Sequence, residues 1–114
     1  TPAHAFRLEA DVLSKGPIDL LFVEAAMNDA SNIPGHPEWM LRGMEGVVRH
    51  ARKTNPMTDI VQMHFVMPPH MDAFRKGEIP KVIVEHEKVA DFYGCVSLDL
   101  AHEVTDRILA GYAT

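Results

Sequence analysis

A single cysteine among 114 residues, Cys95, excludes an intrachain disulfide, a Cys-x-x-Cys redox pair and a cysteine-built zinc site. Its neighbours Gly94 and Val96 suit a small core hydrophobe better than a nucleophile. An excess of positive charge is also missing. With 11 Lys and Arg against 16 Asp and Glu, the net charge is −5, so the electrostatic footprint of a nucleic-acid binder is absent. The densest basic stretch, Arg49-His50-Ala51-Arg52-Lys53, reads as a solvated helix end that complements the helix dipole. No apolar run has the length of a membrane span, and no charged-then-apolar leader opens the chain. The compartment is left open. The start at Thr1 rather than Met, and the uncapped end at Thr114, lead us to expect an excerpt or a processed piece.

Two catalytic signatures are lacking as well. No cluster of glycines links a strand to a helix, so nucleotide binding through a phosphate loop is unsupported. No Gly-x-Ser-x-Gly occurs, which leaves Ser14 and Ser31 without a nucleophile elbow. The seven histidines call for a metal check. His86-Glu87 and His102-Glu103 each begin like His-Glu-x-x-His, but neither has the second His one turn on. No metal or cofactor is expected.

What the chain does have is 46% hydrophobic residues, enough for one small globular domain over residues 1–114. Phe6 to Lys15 reads as a helix stopped by Gly16-Pro17, and Ile18 to Ala26 as a strand. A loop is expected from Asn28 to His36. Pro37 then opens a helix whose Met40, Met44, Val47, Val48 and Ala51 recur at helical spacing, opposite Arg42, Glu45, Arg49 and Arg52. Asn55-Pro56 ends it, and Ile60 to Met67 reads as a second strand. Such nearly unbroken apolar runs suggest parallel strands covered on both faces.

Pro68 to Glu78, with Pro68-Pro69 and Gly77, reads as a loop. A helix from about Ile79-Pro80 carries Val82, His86, Val89, Ala90 and Tyr93 on one face, with Gly94 as its cap. Cys95 to Leu98 is a short strand, and Asp99 caps a last helix through Leu109. The alternation of helices and strands implies an open α/β sheet with right-handed crossovers.

Asn28 lies at the carboxyl end of the first strand, where α/β proteins place their chemistry, and its amide NH2 can donate to an oxyanion. Asp29 could instead be the acidic strand-end residue of a receiver-like domain, but a flanking acidic pair and a partner Lys are not evident. As a loop residue it would fix the backbone through hydrogen bonds. His86, on the apolar stripe, reads as a core histidine bonded to backbone. His64 and His70 fall near the same edge, and spacing assigns neither a role. Ser97, Asp99 and His102 spell a hydrolase triad, yet one strand-to-helix turn rarely lets a His bridge Ser and Asp with its two nitrogens.

Asp19-Leu20-Leu21-Phe22-Val23-Glu24-Ala25-Ala26-Met27-Asn28-Asp29 resembles the third conserved block of the SGNH hydrolases, the GDSL-type esterases and lipases, in which an apolar strand ends in Gly-x-Asn-Asp. Ala26 stands at the usual Gly position. Phe6 to Leu13 resembles the helix before that block, His86 to Gly94 the helix before the final strand, and Val96 to Ala101 that strand and its sequel. The set is collinear over nearly the whole chain.

The resemblance implies a three-layer flavodoxin-like sandwich with a parallel sheet, here an incomplete SGNH domain. It also implies a carboxylic ester substrate, either a small molecule or a carbohydrate O-acyl group, and Asn28 as an oxyanion-hole donor. The family's nucleophilic Ser and a second donor, a Gly, precede the matching segment, and its Asp-x-x-His block follows it. Asp99-Leu100-Ala101-His102 copies that block in spelling only. A missing sheet edge would lead the piece to pair with a copy of itself or a complementing chain. The rival reading is a noncatalytic α/β binding or interaction module in which Asn28 caps a turn.

Overall fold

The computed structural model describes residues 1–32 and 36–112, except for the side chains at 30–32 and 37. In chain order the elements are α1 (Pro2–Asp11), a 3-10 turn (Leu13–Lys15), β1 (Leu20–Glu24), α2 (Ala26–Asn32), α3 (Pro37–Thr54) and β2 (Asp59–Met63), followed by α4 (Pro68–Arg75), α5 (Lys81–Tyr93), β3 (Val96–Leu98) and α6 (Leu100–Leu109). The strands form one parallel sheet in the order β1-β2-β3, with Phe22 beside Val61 and Val61 beside Val96. The chain is thus an α/β fold, as the alternation implied.

Helix α3 follows the expected pattern: Met40, Met44, Val47, Val48 and Ala51 are all buried. Burying a side chain of the size of Met or Val contributes about 1.5–3 kcal/mol, so Met44, Val47, Val48 and Ala51 anchor the main core, while Met40 packs in a second cluster with Ala26, Val82, Ile83 and Ala101. Leu8 of α1, Val23 of β1, Ile60 of β2 and Val89 of α5 complete the main core, and Cys95 packs against it as a hydrophobe. Burial pushes the Cys95 thiol above its ordinary range, which opposes thiolate chemistry. Helix α5 ends at Gly94, whose φ of 64° is the left-handed conformation that a glycine cap supplies without strain.

Two expected loops are in part helical instead. Residues 28–32 belong to α2, because the Glu24 carboxylate accepts the Met27 N–H at 3.1 Å and so caps the helix start. Of the remainder of that loop, 33–35 lie outside the described residues, and His36 precedes α3 without helical structure, as expected. Pro68-Pro69 opens α4 instead of keeping it extended, since the first turn needs no N–H donor from these positions. The strands are also shorter than their apolar runs.

Coverage of the sheet is one-sided where two-sided burial was expected. The face bearing Val23, Ile60 and Gln62 is buried under α1, α3 and α5. On the other face Leu20, Phe22 and Val96 are 50%, 56% and 57% exposed. No helix among the described residues is long and apolar enough to cross a membrane.

Helix α1 sits directly on the α3 backbone at Gly43. A Cβ there would lie 2.7 Å from the Pro2 nitrogen and 2.9 Å from the Thr1 carbonyl carbon, both backbone atoms that cannot swing aside. Alanine is the better helix former by about 1 kcal/mol, but overpacking costs about 1–3 kcal/mol and here displaces a whole helix. Gly43→Ala should therefore lower the thermal midpoint by several degrees. A raised midpoint would mean that α1 is not seated there.

Candidate functional site

Several polar side chains gather at the carboxyl ends of the three strands. Asn28 is exposed in the first turn of α2, immediately beyond β1. Glu24 ends β1, and Asp99 follows β3, where its carboxylate caps α6 by accepting the His102 N–H at 3.0 Å. The β2 chain continues past its last strand residue into His64, whose N–H donates to the Leu98 carbonyl at 3.0 Å and whose carbonyl accepts from Ala101 at 2.7 Å.

His70 enters this edge from α4. It is buried, and its Nδ1–H points at the Phe65 carbonyl 3.3 Å away. Burial pushes the imidazole below the ordinary histidine range, against that hydrogen bond and the negative charges of Glu24 and Asp99. Its Nε2 has no hydrogen-bond partner among the described residues.

Behind Asn28 lies a buried ionic knot. Asp29, 2% exposed, accepts hydrogen bonds from the Thr1 ammonium, the Thr1 hydroxyl and His86 Nε2, the last at 2.9 Å. Burial alone would raise its carboxyl, but the hydrogen bonds from His86, the ammonium and Thr1 outweigh it and hold the group at about 2. The expected backbone-fixing role of Asp29 in a loop is therefore replaced: it sits in a helix and binds side chains. His86 is buried as expected, but its partner is this carboxylate rather than a backbone group.

One residue further along α5, Glu87 reaches the sheet. Its Oε1 lies 2.6 Å from His64 Nε2 and also accepts from the Ser97 hydroxyl. Ser97 Oγ lies 3.3 Å from the same His64 nitrogen. A hydroxyl, an imidazole and a carboxylate are in contact here, yet a relay cannot run through them. A base needs one bare ring nitrogen facing the serine while the other donates to the acid, and here both partners crowd Nε2. Nδ1 of His64 is buried without a described partner.

The residues spelling a triad are not assembled either. Ser97 turns inward to Glu87, Asp99 caps α6, and the His102 ring stacks on Phe74 at a centroid distance of 4.5 Å. No group of three His, Cys, Asp or Glu side chains among the described residues is placed to hold a metal ion.

No family model, curated protein or solved structure matches this chain. Sequence reading missed the contacts of His64 and Ser97 with Glu87. The available signal was Gln62-x-His64: two polar residues two apart in a buried strand share one face, so both demand partners there.

Proposed function

We propose that this chain is the central part of an SGNH-type serine ester hydrolase, in which the Asn28 side-chain amide stabilises the oxyanion formed on a carboxylic ester. The observation that carries the reading is the placement of Asn28. It is exposed just beyond the carboxyl end of β1 in a parallel sheet, while Asp29 beside it is tied inward. An amide donor at such an edge can meet charge that develops on a substrate carbonyl oxygen.

In this reading a serine hydroxyl supplied by the flanking chain attacks the acyl carbonyl while a histidine takes its proton. The electron pair displaced onto the carbonyl oxygen is met by Asn28 Nδ2–H. Collapse of the intermediate expels the alcohol, and water then releases the acid by the same route. The substrate is a carboxylic ester, with carbohydrate O-acyl groups as one candidate class. The wider fold is a three-layer flavodoxin-like sandwich. Flanking strands and helices, a second copy or a complementing chain would cover the exposed row of Leu20, Phe22 and Val96.

The reading is tested by the flanking coding sequence and by labelling. A Gly-Asp-Ser-like block upstream with Asp-x-x-His downstream supports the hydrolase, and absence of both leaves a noncatalytic binding module. The 114-residue chain alone should show no turnover of p-nitrophenyl acetate above buffer and no fluorophosphonate adduct. Stoichiometric labelling of Ser97 would replace this assignment with a local nucleophile.

A further inference from the structure

We propose that His86 is a positioning residue for Asn28, acting through Asp29; the inference rests on the reading of Asn28 as the oxyanion donor. His86 and Asp29 are 1% and 2% exposed, and the 2.9 Å contact between them joins α5 to α2 across 57 residues of sequence. Asn28 precedes Asp29 in the same helical turn, so its side chain leaves the helix about 100° away from the one that is held. Pulling Asp29 inward therefore turns Asn28 outward, onto the strand-end edge.

The adjacent residue of α5 makes the anchor rigid. Glu87 holds His64 and Ser97, so consecutive side chains of one helix grip α2 on one side and the β2 and β3 strand ends on the other. A shift of α5 along its axis would move the donor and the sheet together. The geometry between Asn28 and whatever sits over the strand ends is thereby set by His86, from beneath the helix that carries the donor. The ionised Asp29 also fixes the imidazole tautomer, because Nε2 must carry the hydrogen it donates.

The test compares two polar replacements that differ in reach. The terminal amide of glutamine extends to about the level of imidazole Nε2, whereas that of asparagine stops near Nδ1. In 15N-labelled chain, His86→Asn should move the Asn28 side-chain NH2 resonances and the backbone amides of α2, with those of Ile60 and Val61 in β2 unchanged. His86→Gln should restore the wild-type positions. In the protein that carries the nucleophile and base, His86→Asn should lower kcat on the order of 10- to 100-fold at unchanged KM, and His86→Gln should recover most of it.

Unmoved Asn28 resonances in folded His86→Asn, or equal effects of the two variants, would overturn the positioning role. Failure of the oxyanion reading looks different: Asn28→Ala would leave kcat intact while the resonance shifts caused by His86→Asn persist. A change in KM alone would likewise overturn the proposal.

Discussion

Replacing Asn28 by alanine, in the protein that carries the nucleophile and base, is expected to lower kcat by about 10²- to 10³-fold. The magnitude follows from the chemistry of the donor. A fixed amide N–H facing the developing oxyanion is used in the transition state more than in the ground state, so its loss appears in kcat rather than KM. Folding should be nearly unaffected, because Asn28 is exposed and the inward anchor of α2 is its neighbour Asp29. Steady-state kinetics with a p-nitrophenyl ester, alongside a thermal melt, would measure both quantities. Unchanged kcat in a well-folded variant would remove the oxyanion role. A fall in kcat matched by a collapsed melt would make Asn28 a structural residue.

The contrast between Asn28 and Asp29 also shows what could be read from sequence and what could not. The buried stripe of α3 was legible because five apolar residues recur at helical spacing and need no knowledge of distant partners. Asp99 as a cap was legible for the same reason, since the cap and the amide it binds are three residues apart. Helices α2 and α4 were not, because Asn, Pro and Gly signal turns when read locally. At α2 the Glu24 carboxylate supplies a cap that spacing alone does not reveal.

The strand-end placement of Asn28 was visible in the apolar run before it. Its support was hidden. His86 could be placed on a buried face, but nothing local names a partner 57 residues away. Likewise the Ser97, Asp99 and His102 spelling suggested proximity, whereas β3 directs Ser97 inward to Glu87 and α6 carries His102 onto Phe74. Ser97 lies in β3, Asp99 caps α6 and His102 lies within α6, so the three side chains leave from different elements and do not converge.

Replacing Asp29 by alanine is expected to be strongly destabilising. The Asp29 carboxyl lies at about 2 in the fold against an ordinary 3.8, a difference worth about 2 kcal/mol by linkage. Because the folded value is the lower one, this contribution is complete above pH 4. It is lost as the pH falls through about 2, where the folded state must also take up the proton. Asp29→Ala removes the contribution, leaves the Thr1 ammonium without its carboxylate and leaves His86 Nε2 only the Thr1 hydroxyl 3.3 Å away, so the total cost near neutrality should be about 3 kcal/mol. Urea titrations of both proteins at pH 7, 4 and 2.5 would show a gap that is wide at the first two values and narrower at the third. A gap independent of pH would mean that the carboxylate is not held by its charge. Extending the chain before Thr1 replaces the ammonium with a peptide amide and isolates the His86 arm. Because the hydrogen bonds from His86 and the Thr1 hydroxyl remain, the gap should shrink but persist, and its disappearance would assign the knot to the ammonium instead.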